Sequence, residues 1–465
     1  MMRNTWFISG MAILLGGCVN LAPDYVRPAA PVPAAWSAAS SQGTTQQDAG
    51  AIDWRSFFMD ARLREVIGLT LANNRDLRVA VLNIEKARAQ YRIQDADSYP
   101  SLDMTAAGSV ARSPAAGAAA VISRRQSVQL GFSSYELDFF GRLKNLSEAA
   151  LAGYQYNIET QRSVQISLVA EVAGIWLTLA ADSERLQLAQ STLKSQQISY
   201  ALSQRSHQIG AISGLDLSTA QASVEAAQVD IGNYISRLQQ DANALNLLAG
   251  VAVPAALLPD SIPASAALLL PVKGGLSSDL LLRRPDVLAA EQVLIAANAD
   301  IGAARAAFFP SITLTAQGGS VSSSLGGLFK AGSGAWSFLP SIDVPIFNAG
   351  RNRASLDAAK ISKDINIANY EKAIQTAFRE VADALAERAT LDQRLGAQQR
   401  LTGATAKSYR LSEARYRSGI DSYLNSLVAE RSWYGARQNL ISLHLIDQAN
   451  RIALYKAMGG GWNGN

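Results

Sequence analysis

One unit is written twice in this chain, at a nearly constant offset, so the fold must accommodate two copies of the same supersecondary pattern. Tyr99-Pro100-Ser101-Leu102 returns as Phe309-Pro310-Ser311-Ile312, an offset of 309 − 99 = 210. At that offset Asp76, Ala80, Ala87 and Ala89 face Asp286, Ala290, Ala297 and Ala299. Gly141-Arg142 returns as Gly350-Arg351, where the offset is 350 − 141 = 209. Gly210, Ser213, Leu215, Ala220, Leu245 and Gly250 then meet Gly419, Ser422, Leu424, Ala429, Leu454 and Gly459 at the same 209. The boundary is the proline-bearing stretch 251–276, with Pro254, Pro259, Pro263 and Pro271. The first repeat covers 53–250 and the second 277–459.

Each repeat reads as a helix, two strands and two long helices. Strands are expected over about 100–111, 126–138, 311–321 and 335–347, where apolar and polar residues alternate with the period of a pleated strand. The apolar set includes Leu102, Met104, Val128, Leu130, Phe132, Trp336, Phe338 and Ile342. The opposite set includes Ser101, Asp103, Thr313, Thr315, Gln317 and Asp343, the candidates for a water-facing lumen. Stretches of about ten residues suit tilted strands that cross a bilayer. The competing reading is a half-buried sheet in a soluble domain. The small-residue segments 111–125 and 322–335 read as the loops joining each strand pair.

Phe57 to about residue 96 reads as one helix that Pro100 ends. Long helices are expected over about 142–204, 214–249, 351–414 and 422–457. Val172, Leu179, Leu186, Leu193 and Tyr200 recur every seven residues. In the second repeat Ile374, Ala377, Val381, Ala384, Leu391 and Leu395 follow the same lattice, with Arg388 interrupting. Leu427, Tyr434, Ile441, Leu445, Ile452 and Tyr455 continue it. A seven-residue period implies left-handed winding of helix on helix. Four strands cannot close a membrane barrel, and an open edge in lipid leaves backbone groups unpaired at several kcal/mol each. Three chains would supply 12 strands, with the helices continuing as a tube. That object is a conduit.

The N-terminus reads as an address. Arg3 precedes the apolar run Trp6 to Leu15, and Gly16-Gly17-Cys18 follows. This is the layout of a secretory signal over residues 1–17, too short to span a membrane. Leu15-Gly16-Gly17-Cys18 resembles the lipobox of bacterial lipoproteins, which implies a diacylglyceryl group and an N-acyl chain on Cys18. Each buried acyl CH₂ contributes about 0.8 kcal/mol, so several chains hold a protein firmly at a membrane. Val19, which is not an aspartate, follows the cysteine and implies sorting to the outer membrane. Residues 18–52 read as an extended lipidated leader and 460–465 as a flexible tail.

Composition removes most chemistry. The 465 residues carry a net charge of +4 with no basic run, which speaks against nucleic acid as partner. Cys18, His207 and His444 cannot assemble a zinc site, and one cysteine makes no internal disulfide. There is no phosphate-binding loop and no nucleophile elbow, so no catalytic residue, metal or dissociable cofactor is expected. Glu85 and Glu291 read as ordinary surface or interhelical groups. With no nucleotide site, the energy for transport must come from a partner.

Pro23-Asp24-Tyr25-Val26-Arg27-Pro28, Ala96-Asp97-Ser98-Tyr99-Pro100-Ser101-Leu102 and Arg283-Arg284-Pro285-Asp286 resemble segments of the TolC-like outer membrane factors, specifically the NodT-type efflux lipoproteins. So does the run from Ala289-Ala290-Glu291 through Phe309-Pro310-Ser311-Ile312. The resemblance implies a homotrimer in the outer membrane of a Gram-negative bacterium, with most of the chain in the periplasm. A 12-stranded barrel would be continued by a periplasmic α-helical barrel. It implies a passive exit duct that works with a periplasmic adaptor and an inner-membrane transporter, often of the RND class. It also implies a gate at the helical tips, matched here by Arg205 to Asp216 and Arg415 to Asn425. Tyr416, Arg417, Asp421, Leu424, Asp216 and Leu215 fall there, and Leu424 matches a constricting leucine. One turn later the family often has an aspartate that forms an acidic ring, and Val428 stands there in this chain; a ring of Val and Leu would hinder ions by dewetting rather than by charge. Asp421 and Asp216 would offer carboxylates to Arg417 or Arg415, or simply cap the helix starts. Two other readings stand beside the duct: a periplasmic coiled-coil adaptor or scaffold lipoprotein, and a type I protein-secretion duct of the same family. Exported substrates are not legible.

Overall fold

The computed structural model describes residues 19–36, 52–115, 118–267 and 277–460. The signal segment, Cys18, part of the leader, 268–276 and most of the tail lie outside the described residues. The elements in order are α1 (Trp54–Phe57), α2 (Ala61–Asn73), α3 (Arg75–Ala96), β1 (Asp103–Ala115), β2 (Ala118–Leu137), α4 (Arg142–Gln208) and α5 (Gly214–Ala249). The second repeat follows with α6 (Pro285–Ala306), β3 (Ser311–Ser322), β4 (Gly334–Asp343), α7 (Arg351–Arg417) and α8 (Tyr423–Ala457). The chain divides into two compact units. One takes in the leader to Ala29, Asn83–Ile158 and Ala289–Glu371; the other holds Ala30–Leu82, Glu159–Leu288 and Lys372–Asn465.

The duplication is stamped into the backbone. Gly141, Gly210 and Gly250 have φ near +70°, and Gly350, Gly419 and Gly459 repeat that left-handed conformation 209 residues on. A Cβ is disfavoured there, so glycine punctuates each copy at the same three junctions. At Gly250, which ends α5, an added Cβ would also come within 2.4 Å of the Asn73 carbonyl.

The four strands form one antiparallel sheet in the order β1-β2-β3-β4. Its register joins Asp103, Gly131, Gln317 and Ser337 in one row, and Met104, Leu130, Gly318 and Trp336 in the next. Direct partners share a face, so each row confirms two-sided patterning. An extra residue between Phe132 and Tyr135 makes a bulge. There Ser134 adopts φ 55° and donates its N–H to Thr315 Oγ1 at 3.0 Å. The bulge shifts parity, placing Glu136 beside Thr313 on the polar face.

Four expectations need correcting. Residues 111–125 are mostly strand, because β1 runs to Ala115 and β2 begins at Ala118. Their alanine and serine side chains carry no alternation signal, yet their backbone groups pair across the hairpin. β4 ends at Asp343, short of 347. The single helix expected from Phe57 is three pieces. The Asp60 carboxylate caps α2 through the Arg62 and Leu63 N–H groups, and Asn74 Oδ1 caps α3 through the Leu77 N–H. The long helices extend three or four residues past 204 and 414, to Gln208 and Arg417.

The second unit packs its heptad stripes as expected. Val172, Ile374, Ala377, Val381 and Leu391 are fully buried, and Phe57 stacks on Tyr455 at 3.8 Å between ring centres. The interrupting Arg388 is balanced by Asp447 of α8, to which Nη1 donates at 2.5 Å, and by Asp392. Arg284 is the strongest tie. Its guanidinium donates to Asp286 at 3.0 and 2.7 Å, to Glu380 of α7 at 2.8 Å, and to the Ala457 carbonyl at the end of α8 at 2.7 Å. One buried side chain therefore fastens the start of α6 to two other helices.

In the first unit the leader is bound along α6. Arg305 donates to the Leu21 carbonyl at 3.0 Å and Asn298 to that of Pro23 at 2.7 Å. Gly302 leaves room for the chain, since a Cβ there would meet Ala22 Cβ at 2.8 Å. Glu291, 4% exposed, accepts Tyr25 Oη at 3.0 Å and both Nε and Nη2 of Arg27 at 2.6 and 2.7 Å. Glu291 is thus the anchor of the leader and not an ordinary surface group.

Two outcomes follow from these ties. Arg284→Ala should lower unfolding stability by about 2–3 kcal/mol, because a buried carbonyl and two carboxylates lose a charged donor; thermal unfolding followed by circular dichroism in detergent measures it. Glu291→Gln removes the charge that Arg27 grips, so backbone hydrogen exchange over residues 19–29 should accelerate about tenfold while β1–β4 stay protected.

Candidate functional site

Two hairpin tips, both in the second unit, carry the candidate gate. In the first, α4 ends at Gln208 and α5 starts after Ser213. Ser213 and Asp216 form a reciprocal capping box: Ser213 Oγ donates to Asp216 Oδ2 at 2.7 Å and accepts the Asp216 N–H at 3.2 Å. The Asp216 carboxylate is thus committed to the helix start. Leu215 beside it is 76% exposed.

The second tip joins α7 to α8. Asp421 Oδ2 accepts Arg415 Nε at 3.3 Å, while Oδ1 accepts the Ser422 N–H at 2.9 Å and Asn425 Nδ2 at 2.5 Å. These contacts, led by the Asn425 amide, hold the Asp421 carboxyl below the usual carboxylate range. Arg417 turns elsewhere, donating to Glu413 at 2.5 Å, so of the two arginines only Arg415 meets Asp421.

Below the tip α8 has two faces. Tyr423 and Leu427 are buried with Ala220 of α5, and Tyr416 packs on Tyr423 at 5.5 Å. Leu424 and Val428, one turn apart, are each 55% exposed in the single chain. The structure therefore sets Leu424 and Val428 on one open apolar stripe. Tyr416 belongs to the packed side, and Asp421 to the end cap.

The sheet brings the lumen candidates together. Asp103, Thr313, Thr315, Gln317 and Asp343 all fall on one face by register. Ser101 lies just before β1 and donates to Asp103 at 3.3 Å. The opposite face presents Met104, Val110, Leu130, Trp336, Phe338 and Ile342, each at least 50% exposed. Neither outer edge, β1 or β4, has a partner strand among the described residues.

Glu291 and Glu430 are buried acids whose roles the sequence did not disclose. Glu291 sits in an apolar helix, and only its α6 neighbours at seven-residue steps, Asn298 and Arg305, hint that this face receives a polar strand. Glu430 lies on the core lattice between Leu427 and Tyr434, where an apolar residue is the rule. It is 6% exposed and accepts Gln196 Nε2 of α4 at 2.6 Å. Gln196 in turn accepts Tyr423 Oη at 3.2 Å.

Comparison with known proteins agrees with this geometry. The profile of the "Outer membrane efflux protein" family matches residues 66–251 and 276–460, one match per repeat. The "Probable efflux pump outer membrane protein TtgC" of Pseudomonas putida is 49% identical over 458 residues, 97% of this chain and 94% of that protein. A crystallised membrane protein from Pseudomonas aeruginosa superposes with a TM-score of 0.89 at 43% identity, covering 96% of this chain and 99% of that one. The open-state MtrE outer membrane channel of Neisseria gonorrhoeae gives 0.86 at 38% identity, covering 95% and 98%. With both repeats matched and the two-faced sheet in place, the chain belongs to the outer membrane efflux protein family.

Proposed function

We propose that three copies of this chain close a single 12-stranded barrel, the exit duct of a tripartite efflux system in the outer membrane. The chain is an outer membrane efflux channel by family. The observation that supports the shared barrel is the sheet itself: four antiparallel strands, one apolar face, one polar face and two unpaired edges. In hydrocarbon those edges must be satisfied. β4 of one copy runs antiparallel to β1 of the next, so repetition of the same pairing closes the ring. The apolar face meets lipid, and Asp103, Thr313, Thr315, Gln317 and Asp343 line water.

An adaptor and an inner-membrane transporter, of the RND class by resemblance, supply substrate and energy. The gate reading rests on Leu424 and Val428. Their exposed stripe is apolar, and a ring of such stripes would hold back ions by dewetting. Lipidation at Cys18 is supported by the path of the leader. Val19 donates its N–H to the Phe139 carbonyl at 3.0 Å, two residues beyond the end of β2. Val19, which directly follows the acceptor cysteine in the sequence, is therefore held close to the end of β2.

Light scattering of the detergent-extracted protein, with detergent subtracted, should give the mass of three chains; a monomer stable in mild detergent would sink the shared barrel. Cys18→Ser should abolish palmitate incorporation and leave the uncleaved precursor, longer by residues 1–17. Labelling that persists in that variant would remove Cys18 as the acceptor.

A further inference from the structure

Glu430 is a carboxyl group sealed among helices only two turns behind Leu424. It faces a small cavity of about 90 Å³ between α4, α5 and α8. α4 contributes the neutral Thr192, Ser195 and Gln196. α5 contributes Ser223 and Asp230, whose carboxylate accepts Tyr434 Oη at 2.9 Å. From α7 come Tyr409, which hydrogen-bonds Ser195 at 3.1 Å, and Glu413, already paired with Arg417. Its own helix adds Tyr423, Tyr434 and Arg431. Among the described residues no cation lies within ion-pair distance of Glu430, and Arg431 acts on it only from further off.

Glu430 joins through Gln196 to Tyr423, and Tyr423 is the first residue of α8 and the buried neighbour of the gate leucine. A charge at this point has two neutral donors, Gln196 and Ser195, two further carboxylates in its surroundings and, among the described residues, no ion-paired cation, Arg431 acting only from further off. A neutral acid fits the packing; an anion strains it. We propose that Glu430 is a proton-linked latch of the tip, whose neutral form holds α8 against α4 and α5 and whose ionisation favours their separation. The inference rests on the reading of Leu424 and Val428 as a gate that opens when the hairpins part.

Burial, opposed by the Ser195 and Gln196 hydrogen bonds, pushes the Glu430 carboxyl from 4.5 to about 7. A carboxyl raised in the packed state stabilises that state fully below its exposed value and loses the effect as pH rises through the packed value. Packing at the tip is therefore tightest in acid and weakens between about pH 4.5 and 7. With full exposure on opening, the open-to-closed ratio rises about 30-fold for each subunit between about pH 5.5 and 8. Asp421, held low by its own contacts, stays ionised throughout and does not contribute.

The test uses the full-length acylated protein in planar bilayers near pH 5.5 and pH 8, as wild type, Glu430→Gln and Leu424→Gly. The wild type should open at least roughly 30-fold more at the higher pH, and by more where the three tips open together. Glu430→Gln, neutral and of the same shape, should keep the low acid value at both, with unchanged oligomer mass. A pH response that survives in Glu430→Gln overturns the latch and moves the response elsewhere, with His207 at the first tip the next group to test. A wild type indifferent to pH, alongside a freely conducting Leu424→Gly, overturns the latch and leaves the gate standing. Leu424→Gly conducting no better than wild type overturns the gate reading, and the latch with it. Hydrogen exchange over 423–434 in the wild type, corrected for intrinsic rates, gives a reading free of any variant: it should rise over the same window, and a flat profile overturns the latch.

Discussion

Unpaired backbone at the two edges of a sheet is the constraint on which the rest depends. β1 and β4 each present a row of N–H and C=O groups that no other described strand satisfies. In water such an edge is a liability; in hydrocarbon it is prohibitive, at several kcal/mol for each unmet group. The sheet also exposes Trp336, Phe338 and Ile342 on one side and Asp103, Gln317 and Asp343 on the other, so neither a dry core nor a solvated surface suits both faces. A closed ring with lipid outside and water inside resolves edges and faces together. The antiparallel order, with β1 and β4 running oppositely, lets identical copies close it.

The helices obey a different economy. Their heptad stripes bury alanine and branched aliphatic residues, but the packing is interrupted by polar groups at chosen places. Arg388 with Asp447, and Arg284 with Asp286 and Glu380, are balanced pairs that fix which helix lies against which. Glu430 is not balanced in this way. A carboxyl group with no ion-pair partner among the described residues, next to the residues that start α8, makes the stability of that part of the interface sensitive to solution conditions. Elements that must move are drawn from the less stable end of a structure. The exposed Leu424 and Val428 lie on the same helix, so its packed face and the face proposed to gate are separate faces of α8.

How much was legible varies with the kind of signal. Periodicity located the four long helices to within a few residues and β3 to within one, because alternate burial leaves a mark on composition. It failed over 111–125, where small side chains pair without alternation. It also failed from Phe57 onward, where Asp60 and Asn74 break one apparent helix into three by capping. The lumen candidates Asp103, Thr313, Thr315, Gln317 and Asp343 share one face of the sheet because they obey strict parity; the bulge at Ser134 would have misled a longer extrapolation along β2. Glu291 and Glu430 were missed because a glutamate's role depends on what is packed across from it, and sequence spacing along one helix does not reveal the partner.

The duplication, the left-handed glycines at matched junctions, the two-faced strands and the heptad lattice are all local or periodic properties, and the amino-acid order determined them alone. Such features follow from φ preferences and from which side chains avoid water, and neither requires knowledge of distant neighbours. The tertiary structure decided the rest. It paired Arg27 and Tyr25 with Glu291, 264 and 266 residues away, and so laid the leader along α6. It split the tip arginines between Asp421 and Glu413, and it sealed Glu430 behind Gln196 and Tyr423. These are contacts between segments far apart in the chain, and their energies arise from burial and orientation, which exist only once the segments have come together.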